Sequence, residues 1–444
     1  MSVRVLMDSV DEHKKEETMT GELTLTITSH RSAYEVMQTP QQAYFLVEAM
    51  PTALAGTASQ AVNLSLVLDR SGSMDGEKMN NLKAAAKAVV DRLSSRDFLS
   101  IVIFDETADI VVPGQVVNDR EAIKRQIDTI QVRGGTRMSN GMKAGLGELQ
   151  RGASPDRVSR MLLLTDGQTW EDKKDCEALA VQVRQMGMTL SVMGMGIGDQ
   201  GQWDPVFLEL LAQASGGEWY MIDAPDKATA VFEKTLSTMQ GTVLTNASLT
   251  LRLASEVLPR NVWRVIPLIS RLDHRAVNER DVQVFLGDIQ HGIGQSLLVD
   301  VLIPARVVGA YRLIHCDITY DVPACNLTGQ RMTMDVVVNY TADPAVPRQM
   351  NPRMMNIVER VVAHKLQTQA LNEAAAGQVH NATVRLRAAA TRLLELGEQE
   401  MAQTALNQAQ QMEQGAAIDP AADQAMRYKT KKLTENLPVE GQNP

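Results

Sequence analysis

Residues 64–73 read Leu-Ser-Leu-Val-Leu-Asp-Arg-Ser-Gly-Ser, an apolar run that passes directly into a polar loop. The apolar run predicts a buried strand that ends at Asp69. Ser71 and Ser73 follow at alternate positions of a glycine-containing loop. Open α/β sheets bind ligands at the carboxyl ends of their strands, so one carboxylate and two hydroxyls converge where a ligand is expected. Such oxygen ligands suit a hard divalent cation, Mg²⁺ first.

Two further segments supply oxygen atoms of the same kind. Gly134-Gly135-Thr136 places a hydroxyl on a loop before a helical stretch that begins near Ser139. Residues 161–167, Met-Leu-Leu-Leu-Thr-Asp-Gly, form a second apolar strand that ends in Asp166. Taken singly, Thr136 has the ordinary reading of a helix cap and Asp166-Gly167 that of a turn. Together with the Asp69 loop, they indicate a metal site.

Asp69, Ser71, Ser73, Thr136 and Asp166, in this order, resemble the metal-ion-dependent adhesion site of von Willebrand factor type A (VWA) domains. The resemblance implies that Ser71 and Ser73 are direct ligands and that Thr136 joins them in the ligand-bound form. It also implies that Asp69 and Asp166 bind water or hydrogen-bond the serines. The implied metal is Mg²⁺, with Mn²⁺ or Ca²⁺ as alternatives.

Residues 61–241 alternate strand and helix, which predicts a doubly wound, mostly parallel sheet. Met79, Leu82, Ala86, Val89 and Leu93 recur at helical spacing directly after the Ser73 loop. The predicted strands are Asn63–Leu68, Phe98–Phe104, Ala108–Val112, Arg160–Leu164, Thr189–Met195 and Glu218–Ile222.

The flanks at residues 1–60 and 242–342 are rich in β-formers, with period-2 alternation at 22–27 and 248–253. We interpret them as the two parts of one antiparallel β-sandwich, with the VWA domain inserted in a loop. Two unrelated β pieces are the alternative. The whole arrangement resembles VWA proteins of bacterial type and, more loosely, inter-alpha-trypsin inhibitor heavy chains.

The C-terminal part changes character after a Pro-punctuated linker at residues 343–353. Residues 354–437 are dominated by good helix formers with glycine breaks, which predicts an α-helical region. A helical cap packed on the body is the simplest interpretation, and a docking or oligomerisation element is the alternative. Residues 438–444 are expected to form a loose tail.

Composition limits the partners that the protein can have. The 444 residues carry 44 basic and 53 acidic side chains, a net charge of −9, which argues against general nucleic-acid binding.

No signal peptide pattern or membrane-length apolar run is seen, so a cytoplasmic location is predicted. Cys176, Cys316 and Cys325 cannot form a disulfide framework. A Cys316–Cys325 pair stays open, although reduced, buried thiols are favoured.

Three functions are compatible with the motifs. The first is a binding module that captures a partner's Asp or Glu side chain through the bound Mg²⁺. The second, which the resemblance to bacterial VWA proteins implies, is a regulatory or substrate-recruiting subunit of a separate AAA+ ATPase of MoxR or chelatase type. The chain lacks a phosphate-binding Gly-x-x-x-x-Gly-Lys-Ser/Thr loop, so it is not expected to be the ATPase itself. The third is a Mg²⁺-dependent hydrolase. A dehalogenase-type enzyme would want Asp at position 71, where Ser71 stands, so a non-enzymatic role is predicted.

Overall fold

A computed structural model describes residues 3–4, 15–19, 21–56, 60–166, 171–195, 204–222, 224–272, 275–276, 281–346, 349–415, 420–435 and 437. In chain order the strands are β1 (Val3–Arg4), β2 (Lys15–Met19), β3 (Leu23–Ser29), β4 (Tyr34–Glu35), β5 (Gln41–Pro51), β6 (Ala61–Asp69), β7 (Phe98–Phe104), β8 (Ala108–Val116), β9 (Arg157–Thr165), β10 (Thr189–Met195), β11 (Trp219–Ile222), β12 (Thr242–Leu253), β13 (Leu258–Ile266), β14 (Ser270–Leu272), β15 (Arg275–Ala276), β16 (Asp281–Gln290), β17 (Gln295–Ile303), β18 (Gly309–Val322) and β19 (Leu327–Thr341). The α-helices are α1 (Glu77–Arg92), α2 (Arg120–Asp128), α3 (Met138–Arg151), α4 (Lys173–Gln185), α5 (Pro205–Ser215), α6 (Ala228–Gln240), α7 (Pro352–Ala375), α8 (Val379–Glu395), α9 (Gln399–Glu413) and α10 (Pro420–Lys431).

The α/β domain is built on a six-stranded sheet with the order β11-β10-β9-β6-β7-β8. Every neighbouring pair is parallel except β7 with the edge strand β8. Helices α1, α2 and α6 pack on one face of the sheet, and α3, α4 and α5 pack on the other. The central strands are therefore buried on both sides, which explains their nearly continuous apolar sequences. This confirms the predicted doubly wound fold.

The α/β domain is inserted in chain order between the strands of a β-sandwich. Its seven-stranded sheet has the order β1-β2-β3-β5-β17-β13-β14, and its six-stranded sheet has the order β15-β16-β12-β18-β19-β4. Each sheet contains strands from both flanks, because β5 pairs with β17 and β4 pairs with β19. The flanks thus form one sandwich, as predicted. The sandwich is not purely antiparallel, since the β4–β19 pair is parallel.

The C-terminal helices pack against the outer face of the seven-stranded sheet. Leu46, Trp263 and Leu298 of that sheet share an apolar cluster with Ile357 and Val361 of α7. Helix α7, the first of these helices, begins at Pro352, inside the predicted linker. Asn351 caps it by accepting a hydrogen bond from the Met354 amide. Proline is well tolerated in the first helical turn, where its missing N–H has no intrahelical acceptor. Of the helices that the structure describes, none is both long and apolar enough to span a membrane.

The three cysteines are free thiols. Cys316 and Cys325 lie on β18 and in the turn after it, yet they do not pair. Cys316 is buried, as expected, whereas Cys325 is exposed, which corrects the expectation that both of these thiols are buried. Cys176 is buried as well. The exposure follows from the position of Cys325 at the tip of the β18–β19 hairpin.

A buried histidine within the helical region makes the stability of the protein sensitive to acid. The Nδ1 atom of His364, on α7, lies 2.9 Å from the Thr430 hydroxyl on α10. Burial, followed by the charges of Lys431 and Arg427, lowers the pKa of His364 to about 3. The unfolded chain takes up this proton near pH 6.5, so stability is lost as the pH falls from 6.5 towards 3. We expect His364 to contribute about 1–2 kcal/mol to the loss of unfolding free energy between pH 7.5 and pH 5.

Urea unfolding at the two pH values measures this contribution. The His364→Gln variant is expected to lose less stability on acidification than the wild-type protein. His380→Gln is the matched control, because His380 lies exposed on α8. Equal acid sensitivity of the wild-type and His364→Gln proteins would contradict the assignment.

Candidate metal centre

The candidate site lies at the carboxyl edge of the parallel sheet. Strands β6 and β9 are neighbours, with Leu68 opposite Leu164, so the two strands end side by side. Asp69 is the last residue of β6, and Asp166 follows β9 directly. The fold therefore brings together two carboxylates that are almost a hundred positions apart in the sequence. Gly167, which completes the predicted turn, lies outside the described residues.

Asp69 organises the base of the site. Its Oδ1 accepts a hydrogen bond from the Ser71 amide at 2.8 Å, and its Oδ2 accepts one from the Thr165 hydroxyl at 2.7 Å. The side chain is completely buried. Burial raises the pKa of Asp69 to about 6, against the bonds from Thr165 and Ser71, and the negative charge of Asp166 acts in the same direction as burial. A cation held beside the two carboxylates would relieve this electrostatic cost.

Two of the predicted hydroxyl ligands, Ser71 and Ser73, form a continuous chain of oxygen atoms with Asp166. The Oγ atoms of Ser71 and Ser73 lie 3.1 Å apart, and Ser73 donates to Oδ1 of Asp166 at 2.7 Å. Ser71 and Asp166 are buried, whereas Ser73 is exposed. The middle member of the oxygen chain, Ser73, is therefore the one that reaches the surface.

Thr136 lies on a neighbouring loop that is tied to the serine loop by its backbone. The amide of Gly72 donates to the carbonyl of Gly134 at 3.1 Å, and the amide of Arg133 donates to the carbonyl of Arg70 at 2.8 Å. Gly134 has a φ of +66°, a conformation that favours glycine and lets this loop turn towards the serines. Thr136 itself is half-buried. The loops are adjacent, and the role of the Thr136 hydroxyl as a ligand stays a prediction.

An ion-pair network centred on the buried Asp105 side chain links these two loops. Asp105 accepts hydrogen bonds from Nε of Arg70 at 2.7 Å and from Nε of Arg133 at 2.8 Å. Burial opposes ionisation of Asp105, yet the bonds from Arg133 and Thr107 and the charge of Arg70 hold its pKa well below the usual range. Asp105 also accepts the Arg137 amide through its backbone carbonyl at 2.7 Å. The network was not predicted, because its members come from three segments that meet only in the fold.

Lys78 was also missed by sequence reasoning. Its Nζ lies 2.8 Å from Oδ2 of Asp166, so Asp166 contacts Ser73 through one oxygen and Lys78 through the other. Lys78 is the second residue of α1. A cation in the first turn of a helix is disfavoured by the helix dipole, and this was the one available signal that the lysine serves an anion elsewhere.

The donor set fits a hard divalent cation. Two carboxylates and three hydroxyls offer oxygen atoms alone, which suits Mg²⁺ better than the nitrogen- or sulfur-preferring metals. In the part of the chain that the structure describes, no group of three or more His, Cys, Asp or Glu side chains is placed to hold a metal. The oxygen donors at the carboxyl edge of the sheet are the candidate metal centre by the chemistry of their side chains.

Two family profiles and one relative show the protein family to which the chain belongs. A family profile for the von Willebrand factor type A domain matches residues 63–234, and a profile for the Sll0103-like, C-terminal alpha-helical domain matches residues 352–436. VWA domains are in general protein-interaction or adhesion modules. The chain is 31% identical over 306 residues to the uncharacterized protein sll0103 of Synechocystis, an alignment that covers 67% of this chain and 71% of that protein. The chain belongs to this family of VWA proteins with an Sll0103-like helical domain.

More distant matches differ in how much of the chain they cover. Inter-alpha-trypsin inhibitor heavy chain H4 of Homo sapiens is 28% identical over 171 residues, which are 36% of this chain and 18% of that protein. The chain thus spans less than a fifth of H4. The solved structure of a von Willebrand factor type A protein from Catenulispora acidiphila matches with a TM-score of 0.76 at 19% identity. The match covers 93% of this chain and 97% of the Catenulispora chain. The fold is therefore shared over almost the whole chain.

Proposed function

We propose that this protein is a metal-dependent binding module that captures an acidic side chain of a partner protein. Asp69, Ser71, Ser73, Thr136 and Asp166 would hold a Mg²⁺ ion at the carboxyl edge of the VWA sheet. Bound there, the ion would supply an electrophilic centre that accepts an Asp or Glu carboxylate of the partner as a further oxygen ligand. The role proposed is binding, without catalysis.

One observation carries the proposal. The Oγ of Ser73 lies 3.1 Å from the Oγ of Ser71 and 2.7 Å from Oδ1 of Asp166, so an exposed serine links two buried oxygen donors. Few formal charges surround a cation held mainly by hydroxyls, so such a cation keeps its attraction for an outside anion. The chain's own residues thus hold the ion and leave its surface side to the partner.

Partner capture from the native cell tests the proposal. We expect the immobilised protein to retain specific partners in MgCl₂ and to release them in EDTA, and the Ser71→Ala variant to retain none in either buffer. Ser95→Ala is the matched control, because Ser95 is exposed at the opposite edge of the same sheet, just before β7. Partners retained equally by all three proteins, with and without EDTA, would end the proposal. Recovery of an AAA+ ATPase among the Mg²⁺-dependent partners would identify the regulatory role.

Metal binding should also stabilise the native protein. A ligand that binds the folded state alone adds about 2.7 kcal/mol to the unfolding free energy when its concentration is 100 times its dissociation constant. We therefore expect MgCl₂ to raise the midpoint of thermal unfolding and EDTA to reverse the rise. The Ser71→Ala variant should show no such rise, and a Mg²⁺-induced increase of equal size in that variant would contradict the assignment.

A phosphoester turnover assay separates the binding role from the hydrolase alternative. We expect the wild-type protein with MgCl₂ to hydrolyse p-nitrophenyl phosphate no faster than buffer alone. Turnover that is lost in the Asp69→Asn variant would overturn the non-catalytic role.

A further inference from the structure

Lys78 lies at a helix position that disfavours a cation, yet it is paired with a buried carboxylate. Its ammonium lies 2.8 Å from Oδ2 of Asp166, and the two side chains are 16% and 1% exposed. The lysine is in the first turn of α1, where the positive end of the helix dipole repels a cation. The local preference is therefore for an acidic residue, and the pairing with Asp166 contributes to offsetting the unfavourable position.

The charges of the site explain what this ammonium does. Asp69 and Asp166 lie close enough for the charge of Asp166 to raise the pKa of Asp69. Asp69 receives its hydrogen bonds from uncharged donors, the Ser71 amide and the Thr165 hydroxyl. Lys78 is a cationic partner of Asp166, at the very carboxylate that is predicted to serve the metal.

We propose that Lys78 is an internal counter-cation that competes with the metal for Asp166 and so determines the affinity of the site. The inference rests on the proposed function, because it assigns Lys78 a role toward the same ion. Entry of a divalent cation beside Asp166 places it close to a fixed positive charge. The lysine therefore weakens metal binding. When no metal is bound, its positive charge balances the negative charge of Asp166.

The direction of the effect follows from charge alone. Removing a positive charge from the neighbourhood of a cation site strengthens cation binding, whether the lysine stays beside Asp166 or moves away when the metal enters. Charges a few ångströms apart at a partly hydrated site change affinity by about tenfold. Without metal the same substitution leaves Asp166 buried beside Asp69 without the counter-charge of Lys78, which destabilises the fold.

Four variants test the inference, each titrated with MnCl₂ by calorimetry and melted in EDTA and in MgCl₂. Lys78→Gln removes the charge and keeps an N–H donor for Asp166, and Lys78→Met removes both. Lys78→Arg retains the charge. Lys87→Met is the matched control, since Lys87 lies on the same helix in a solvent-exposed ion pair with Asp128.

We expect Lys78→Gln and Lys78→Met to bind Mn²⁺ about tenfold more tightly than the wild-type protein. Both should melt at a lower temperature in EDTA and show a larger rise in MgCl₂. Lys78→Arg and Lys87→Met should bind as the wild-type protein does. Unchanged or weaker Mn²⁺ binding by Lys78→Gln, in a protein whose wild-type form binds Mn²⁺ and whose Ser71→Ala form does not, would overturn the role of Lys78 alone. Absence of binding in both the wild-type and the Lys78→Gln protein would overturn this inference and the proposed metal site together.

Discussion

The Ser71→Ala variant is expected to lose Mn²⁺ affinity by at least about 100-fold, since even residues that only orient metal ligands account for 10- to 100-fold. Ser71 is buried and its hydroxyl lies next to that of Ser73, so the substitution removes one oxygen from the centre of the site. The Ser71 amide still donates to Asp69, because that bond uses the backbone. The fold should therefore survive, and calorimetric titration with MnCl₂ measures the loss.

The control for this experiment is Ser95→Ala, an exposed serine at the far edge of the sheet. It should bind Mn²⁺ like the wild-type protein and give the same circular dichroism spectrum. If Ser71→Ala bound Mn²⁺ as tightly as Ser95→Ala, the ion would not be held by the serine loop.

Arg160→Met is expected to destabilise the protein strongly, by about 3–5 kcal/mol of unfolding free energy. Arg160 lies on β9 of the VWA sheet, and its guanidinium contacts Asp288 on β16 of the sandwich at 2.5 Å. The two side chains are 4% and 7% exposed. Removing the arginine leaves a buried carboxylate whose remaining partner is the Thr189 hydroxyl, at 3.2 Å. Urea unfolding of the full chain measures the change.

A double variant separates the lost charge pair from lost packing. Arg160→Met with Asp288→Leu removes both charges, and we expect it to recover most of the stability that Arg160→Met loses. Lys87→Met, which breaks a surface pair with Asp128, should cost less than about 1 kcal/mol. A loss of that small size in Arg160→Met would show that the ion pair does not hold the VWA domain to the sandwich.

The strands of the VWA sheet were predictable because burial on both faces leaves a simple signal. Phe98–Phe104 and Thr189–Met195 were predicted with both ends correct, since continuous apolar runs mark strands of this kind. Strand β8 was predicted to end at Val112, and Pro113-Gly114, a pair typical of turns, follows there. The structure extends it to Val116, and an edge strand tolerates such a proline.

The sandwich was harder to predict because its strands are less uniform. Strand β2 has the sequence Lys-Glu-Glu-Thr-Met, which carries no apolar alternation, and its neighbours β1 and β3 define it. Strand β13 begins Leu-Pro-Arg-Asn, with its first three residues exposed, and was missed for the same reason. In both strands, pairing across the sheet overrides local preference.

The candidate site shows the same division between local and tertiary information. Ser71, Ser73 and Asp166 were predicted from the order of strand-terminal motifs, and the structure brings their oxygens into contact. Lys78 and the Asp105 network depend on segments that meet only in the folded chain. Sequence patterns thus indicate the donors, whereas the charges that tune them need the fold.

A crystal grown with MnCl₂ tests the central claim most directly, because anomalous scattering locates manganese without assumptions about its ligands. We predict one strong peak at the carboxyl edge of the VWA sheet, about 2.0–2.2 Å from the hydroxyls of Ser71 and Ser73. The peak should be absent from crystals of the Ser71→Ala variant. A wild-type crystal in the same solution with no manganese at these serines would contradict the account.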